Sequence, residues 1–346
     1  MVEFLTQTDE HRLLHETAAR LFREPDHLLR TLAESGLLAL PFAEADGGWR
    51  VDGSIDRTDQ AIAFSAKGQA YCADSTLLQA VLGGDLIAAG STADKADIVQ
   101  SIIEGRERIA VGLHEPHART DLYHCATTAT KTAQGWILDG AKTLVLGAEG
   151  ASRLVILARV GERGDDARTG LGLFLLDPSM AGVACRHYRL RDGSPASDIA
   201  LTGVVVPEGA LLAGPDAAAD LLDHAVAMAR LCLAAEASGL MSAILAGTAT
   251  YVNERKQFGQ AIGSFQVIQH RLADMATLTD QAAALVADIA RRSDDLGAID
   301  SAHRAIAEMG LTVAKAAIQL HGGNGMTEDL PYGAALRRMM TIALLF

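Results

Sequence analysis

Aromatic residues and cysteines are both scarce in this sequence. It has 2 Trp, 5 Tyr and 8 Phe, which together make up 4% of its 346 residues. The core must therefore be built mainly from Ala, Leu, Ile and Val, a composition that favours helices. The 4 cysteines lie far apart and show neither a CxxC pair nor a His/Cys ligand spacing, which argues against a zinc site and a disulfide framework. A reducing cytoplasm is the expected location.

Positive charge is also in short supply. The chain has 30 Lys and Arg against 43 Asp and Glu, a net charge of −13, so nucleic acid and anionic membrane surfaces are poor electrostatic partners. An anionic ligand must therefore meet a local basic cluster. Membrane insertion is not expected, because the most apolar stretch, residues 225–246, contains Arg230 and Glu236. The hydrophobic fraction of 49% instead predicts a large core divided between two or three domains.

The apolar pattern changes twice along the chain. The first part has helical spacing, with Thr8 placed to cap the first helix. Short β-branched or alternating runs follow, separated by Gly, Asp and Pro clusters, as in a small antiparallel barrel or sandwich. The last part is rich in Ala and Leu with helical periodicity, which predicts an antiparallel bundle. The predicted domains are an N-terminal helical domain (1–108), a middle β domain (109–214) and a C-terminal helical bundle (215–346).

Periodicity also predicts the individual elements, and Pro25 is expected to end the first helix. The other predicted helices cover residues 27–35, 57–70, 75–89, 93–104, 217–255, 263–294 and 298–321, before a final segment from Pro331. The predicted strands cover residues 109–113, 124–131, 136–139, 153–160, 171–176, 183–190 and 199–206.

Two segments of the predicted bundle have the composition of a phosphate site. The turn after the long helix contains Arg255, Lys256 and Phe258, which could grip a phosphate and stack on an aromatic ring. The second segment contains Gly322 and Gly323, where the backbone could approach a ligand closely. Taken singly, an interhelical turn with a solvated Arg-Lys pair and an ordinary glycine helix cap remain open alternatives.

Together these segments resemble the acyl-CoA dehydrogenase family, whose bundle carries an Arg-x-x-Phe-Gly turn and a Gln-x-x-Gly-Gly-x-Gly turn. The resemblance covers nearly the whole chain, including Glu115-Pro116 and the Trp-Ile-Leu-Asp-Gly-Ala-Lys stretch at 136–142. It implies an α+β fold with an N-terminal helical domain, a middle antiparallel β-barrel or sandwich, and a C-terminal antiparallel four-helix bundle.

The resemblance also implies that FAD binds between subunits. Arg255 would contact its pyrophosphate, and Gln257 and Phe258 would pack by the adenosine. The remaining positions that match the family cradle are Gln266, Gln319, Gly322 and Gly323. These residues are intact here.

The acid that the family uses as its catalytic base is missing. Family catalysis needs a carboxylate that removes the α-proton of the thioester while the β-hydrogen leaves as hydride. Most members place a Glu where this chain has Phe346. A minority place the acid one residue before an Arg that lies 25 residues ahead of the turn Arg, which corresponds to Ala229 beside Arg230. Neither Phe nor Ala can accept a proton, so the chain is expected to lack its own base.

The predicted β domain departs from the family pattern as well. Where the family has Lys-x-Trp-Ile-Thr-Asn beside the flavin, this chain has Leu144 and Leu146, and His114 replaces the usual Thr before Glu-Pro. The family's Gly-Ser-Asp stretch reads Arg119-Thr120-Asp121 here, so that only its Asp is kept. His114 and the neighbouring histidines are predicted to be solvated surface residues, because they lack metal-ligand spacing.

Two charged residues on the long apolar helix need partners. An unpaired buried guanidinium is costly, so a carboxylate or phosphate is expected beside Arg230, which is a possible pocket residue. Glu236 faces a different side of that helix and is predicted to make a structural hydrogen bond between helices.

The resulting hypothesis is a subunit of an FAD-dependent acyl-CoA dehydrogenase that lacks its own base, like the small subunits of heteromeric pimeloyl-CoA and steroid-CoA dehydrogenases. It would complete the FAD site of a paralogous partner in an α2β2 heterotetramer. Its substrate would be a bulky steroid or dicarboxylic acyl-CoA, with electron-transfer flavoprotein as the electron acceptor. Two alternatives stay open: a self-sufficient homotetramer whose base lies beyond Phe346, and a flavin-free scaffold.

Overall fold

The computed structural model describes residues 4–24, 28–118, 121–161 and 166–346. The predicted helix end at Pro25, the first residue of the predicted helix at 27–35 and the altered position Arg119 lie outside these ranges. The chain divides into two compact units. The helical unit comprises Met1–Leu28, Ile55–Ala73 and Arg230–Leu345, and the sheet unit comprises Leu29–Ser54, Asp74–Ala229 and Phe346.

The helices agree with the apolar periodicity to within a few residues. They are α1 (Asp9–Arg23), α2 (Leu28–Glu34), α3 (Thr58–Gln69), α4 (Thr76–Ala89), α5 (Lys95–Ile103), α6 (Ala218–Glu254), α7 (Gln266–Arg291), α8 (Leu296–His321) and α9 (Tyr332–Leu344). The predicted cap of α1 is confirmed, because the backbone N–H of His11 donates to Oγ1 of Thr8 over 3.1 Å.

The strands of the sheet unit follow the predicted order with some changes of length. They are β1 (Ile109–Gly112), β2 (Thr128–Thr132), β3 (Gly135–Leu146), β4 (Arg153–Arg159), β5 (Leu171–Leu176), β6 (Val183–Arg189), β7 (Pro195–Val206) and β8 (Leu211–Ala213); the helical unit adds the short strands β9 (Lys256–Gln257) and β10 (Gln260–Ala261). β3 is much longer than predicted. Its pairing with β7 contains two register shifts, which interrupt the alternation of apolar and polar residues from which the strand was predicted. The sequence pattern did not predict β8.

The middle domain forms one mainly antiparallel sheet. Its strand order is β6-β7-β3-β2-β4-β5-β8, and β1 pairs with β4 in parallel. The core of this unit is formed mainly by the buried faces of these strands and contains Trp136 and Phe174, whose ring centroids are 5.5 Å apart. The N-terminal helical part, the sheet and the C-terminal helices together confirm the predicted α+β fold class.

The boundaries of the two compact units differ from those of the three predicted domains. α1 packs on α3, and α3 packs on α7, so α1 and α3 belong to the helical unit, whereas α4 and α5 belong to the sheet unit. α3 also lies very close to α6, since a Cβ at Gly68 or Gly239 would collide with the backbone of the other helix. The sequence pattern shows the helices but not which helices pack together.

Among the described residues, α6 is long and apolar enough to cross a membrane by length and composition alone. However, 72% of its most apolar 18-residue window is buried inside the protein. This burial is what the core helix of a helical domain shows.

Candidate functional site

The two segments predicted to bind a cofactor lie at the same end of the helical unit. α7 and α8 form an antiparallel pair joined by a short connection, which places the start of α7 beside the end of α8. The end of α6 joins them, because the rings of Tyr251 and His321 stack with centroids 4.2 Å apart. The structure therefore brings the Arg255 turn and the glycine turn of residues 322–326 together.

The Arg255 turn is a small β-hairpin with an exposed aromatic tip. Gln257 pairs with Gln260, and the two residues between them, Phe258 and Gly259, have φ values of 52° and 82°. A tight hairpin of this kind needs positive φ at both central positions, which is unusual for Phe. The Phe258 side chain is 91% exposed and touches protein mainly through the edge of Phe265. Such a ring is available to stack on a ligand or a partner.

The polar groups around the hairpin are also available. Arg255, Lys256, Gln257 and Gln266 are all exposed. Within the described ranges, Arg255 and Lys256 form no ion pair with a carboxylate. These side chains form the local basic cluster that an anionic ligand requires in so acidic a chain.

The glycine turn at the end of α8 has an accessible backbone that a ligand could approach. Gly322 has φ 60° and ψ −138°, a conformation that only glycine adopts readily, and its N–H donates to the carbonyl of Gln319. Apart from the adjoining residues of the turn, no atom in the described part of the chain lies within 4 Å of the place where a Cβ would stand on Gly322 or Gly323. Gln319 is exposed beside them. This open backbone next to two cations fits the phosphates and adenosine of a dinucleotide such as FAD.

The sheet unit contains a small cavity at the positions where the chain departs from the family pattern. Its volume is about 20 Å³, room for about one water molecule. It is lined by Ser75, Leu78, Gln79, Leu82, Ile109, Val111, His114, Leu144, Leu146 and Phe346. None of these side chains is acidic, so the cavity lacks the carboxylate that the family uses as its base, and its titratable side chain is His114.

His114 forms one wall of this cavity, which corrects the expectation that it lies on the surface. It is only 7% exposed, and its ring stacks on Phe346 with centroids 5.8 Å apart. Burial, with a smaller contribution from the charge of Lys142, lowers the pKa of His114, so its imidazole is neutral near pH 7. Among the described residues, no group of three His, Cys, Asp or Glu side chains could hold a metal ion.

The expected anionic partner of Arg230 is a carboxylate of the same chain. Nη1 of Arg230 lies 2.9 Å from Oδ1 of Asp300 on α8, and Arg304 also pairs with this carboxylate. Burial alone would raise the pKa of Asp300, but the hydrogen bond from Arg304 and the charge of Arg230 lower it below the usual value. Ala229 is fully buried and offers no acid. The Arg230 region is therefore an ion pair between α6 and α8.

Removing this ion pair is expected to have a modest effect. Arg230→Met should lower the free energy of unfolding by about 1–2 kcal/mol, because the pair is only partly buried and Asp300 keeps Arg304. Arg304→Met is the matched control, since that side chain is 72% exposed and its removal should lower the stability much less. Urea unfolding of both variants measures the difference, and equal losses would contradict this ranking.

The structure contains two buried ionic clusters, and the first confirms the prediction that Glu236 makes a hydrogen bond between helices. In the helical unit, Glu236 lies between Lys67 and Arg338, at 2.8 Å and 2.6 Å. In the sheet unit, Lys142 lies 2.6 Å from Glu115. The charged residue within an apolar helix was the available signal for Glu236, but nothing in the sequence identified its two partners.

Comparison with known proteins agrees with this architecture. The middle domain of acyl-CoA dehydrogenases matches residues 110–204, and their C-terminal domain matches residues 220–345. Benzylmalonyl-CoA dehydrogenase of Aromatoleum aromaticum is 30% identical over 302 residues, which cover 81% of this chain and 78% of that protein. The 3-(aryl)acrylate reductase of Clostridium sporogenes is 27% identical over 92% of this chain and 86% of its own length.

The fold is also that of solved structures. Butyryl-CoA dehydrogenase from Megasphaera elsdenii superimposes with a TM-score of 0.88 at 22% identity, covering 97% of this chain and 94% of the other. The chain belongs to the acyl-CoA dehydrogenase family, FAD-dependent oxidoreductases that act on CH–CH bonds.

Proposed function

We propose that this chain is a non-catalytic subunit that completes the FAD site of a paralogous partner in a cytoplasmic α2β2 heterotetramer. The observation that carries the proposal is an asymmetry between its two sites. The helical unit presents an exposed, cationic cofactor cradle around Arg255 and Gly322, while the sheet unit has a cavity of about 20 Å³ without an acid. In this proposal the chain contributes cofactor-binding residues to a flavin site whose catalytic carboxylate belongs to the partner.

The chemistry of the family reaction determines which role is assigned to this chain and which to the partner. When bound, FAD supplies the acceptor for the hydride that leaves the β-carbon of the acyl-CoA. The accompanying α-proton needs a carboxylate within hydrogen-bond reach, and Phe346 and Ala229 occupy the two family positions for it. In this proposal Arg255 holds the cofactor pyrophosphate, Phe258 packs by the adenosine, and the partner supplies the base.

The proposed substrate is a bulky steroid or dicarboxylic acyl-CoA, with electron-transfer flavoprotein as acceptor. The cavity in the sheet unit has room for about one water molecule, so in this proposal the acyl group lies in the partner's pocket. The name of the Aromatoleum relative specifies a benzylmalonyl group, which combines a ring with a dicarboxylic acid. Turnover of steroid side-chain, pimeloyl and straight-chain CoA esters by the complex, with electron-transfer flavoprotein as oxidant, tests this choice.

The experiment on the subunit role compares the chain expressed alone with the chain co-expressed with a paralogous subunit encoded beside it. We expect turnover only from the complex. Arg255→Ala in this chain should lower the flavin content of the complex at least about tenfold, because a charged contact to phosphate is lost. Lys315→Ala is the control, since Lys315 is an exposed cation on α8 that lies six residues before its end and outside the proposed cradle.

Two outcomes would contradict the proposal. Full flavin loading and turnover by the lone chain would show a self-sufficient enzyme. A purified complex without flavin absorbance would favour a scaffold instead.

A further inference from the structure

We infer that His321 is a positioning residue that holds the glycine turn of residues 322–326 in its cofactor-binding shape. The inference rests on the proposed function, in which Gly322 and Gly323 face FAD. His321 is the last residue of α8 and is only 4% exposed, so it lies beneath the turn.

The ring of His321 is held on both faces. Its centroid lies 4.2 Å from that of Tyr251 on α6 and 4.0 Å from that of Tyr332 at the start of α9. Nδ1 lies 2.8 Å from the carbonyl oxygen of Ala317, which can only accept, so Nδ1 carries the proton and donates. This stack fixes the ring where three helices meet.

The glycine turn is built directly on this fixed ring. The Tyr251 hydroxyl donates to the backbone carbonyl of His321 over 3.4 Å, immediately before the chain turns at Gly322. Further along the turn, a Cβ on Gly325 would lie 3.0 Å from the Cβ of His321, so the turn folds back onto this residue. The backbone on each side of Gly322 and Gly323 is thus located by His321.

A loosened turn should bind FAD less well, because its backbone groups must then be ordered when the cofactor binds. We expect His321→Ala to weaken FAD binding by at least about tenfold. His321→Phe keeps an aromatic ring between the two tyrosines and should stay within about threefold of the parent. If His321→Ala does not fold, Tyr251→Leu tests the same stack, because Tyr251 is only half-buried.

The control for general destabilisation is Ile306→Ala. Ile306 is fully buried on the same helix, about 22 Å from His321 at 1.5 Å per residue. This variant should lower the thermal midpoint as much as His321→Ala does, without changing the affinity for FAD. Apparent Kd values come from flavin fluorescence of the complete complex titrated with FAD, and unfolding midpoints are measured on the same samples.

Each result has a definite meaning. Loss of affinity in His321→Ala, with rescue by Phe and no loss in Ile306→Ala, supports the inference. Equal loss in Ile306→Ala, or no rescue by Phe, overturns it. If Arg255→Ala weakens FAD binding and His321→Ala does not, this inference fails and the proposed function stands. If neither variant changes FAD binding, the proposed cofactor cradle itself is wrong.

Discussion

Glu236→Gln is expected to lower the free energy of unfolding of the protein by about 3–5 kcal/mol, the usual cost of removing one partner from a buried ionic cluster. Glu236 is 1% exposed on α6, and its carboxylate is the shared partner of Lys67 on α3 and Arg338 on α9. Burial alone would raise the pKa of Glu236, but the charges of Arg338 and Lys67 lower it, so the group stays ionised. A neutral amide would remove the negative charge that compensates both buried cations.

Two further variants separate this charge effect from other causes. Glu328→Gln makes the same substitution at a carboxylate that pairs with Arg337 but is 83% exposed, and it should cost under about 1 kcal/mol. Lys67→Met combined with Glu236→Gln removes one of the two buried cations as well. The double variant should therefore recover part of the unfolding free energy that Glu236→Gln loses. Guanidinium unfolding monitored by far-UV circular dichroism measures all three. A loss no larger than that of Glu328→Gln would show that the cluster is not held by charge.

The helices could be predicted from the sequence because each helix carries its own signal. The apolar spacing of α1 and α8 and the Thr8 cap of α1 depend on neighbouring residues alone. Contacts between residues that are distant in the sequence have no such local signal. Glu236 and Lys67 are 169 residues apart in the sequence, so their pairing appears only when α3 packs on α6.

In the candidate site, too, local motifs could be predicted from the sequence, whereas contacts between distant residues could not. The cofactor residues around Arg255 and Gly322 are short contiguous motifs, which is why the sequence is sufficient to propose them. The cavity instead combines Gln79, His114, Leu144 and Phe346 from distant parts of the chain. The sequence shows that the last three positions depart from the family pattern, but not that they meet. The burial of His114 also follows from packing, which a loop histidine does not reveal.

Lys142→Met is expected to give the second large effect, about 3 kcal/mol or more, in the sheet unit. Lys142 is fully buried on β3, with Nζ 2.6 Å from Oε1 of Glu115. The same carboxylate accepts hydrogen bonds from the backbone N–H groups of Ala126 and Thr127, at 2.7 Å and 3.0 Å. The substitution would leave an ionised carboxylate buried without its cation.

The matched control is Lys131→Met, which breaks an ion pair with Glu208 of similar length but high exposure. Nζ of Lys131 lies 2.9 Å from Glu208, and the two side chains are 60% and 76% exposed. Its loss should cost under about 1 kcal/mol. Urea unfolding at pH 7 compares the two variants, and similar losses would count against a buried pair in the sheet unit.

The stability lost in Lys142→Met should depend on pH in a defined direction. Burial tends to raise the pKa of Glu115, but Lys142 and the hydrogen bonds lower it from 4.5 to about 2. A depressed folded-state pKa stabilises the protein above pH 4.5, and that contribution is lost as the pH falls from 4.5 towards 2. The difference between parent and variant should therefore be full at pH 7 and shrink in acid. A difference that stays constant from pH 7 to pH 3 would contradict the ionic explanation.

The same substitution tests whether this ion pair also holds the walls of the cavity. His114 directly precedes Glu115, and Leu144 follows Lys142 by two residues, so the pair fixes the backbone next to both side chains. Burial and the charge of Lys142 both lower the pKa of His114. Lys142→Met removes the charge and loosens the burial, so the pKa of His114 should rise towards its ordinary value. An NMR titration of the His114 ring measures this rise. If the pKa of His114 stays unchanged while stability falls, the ion pair supports the sheet without shaping the cavity.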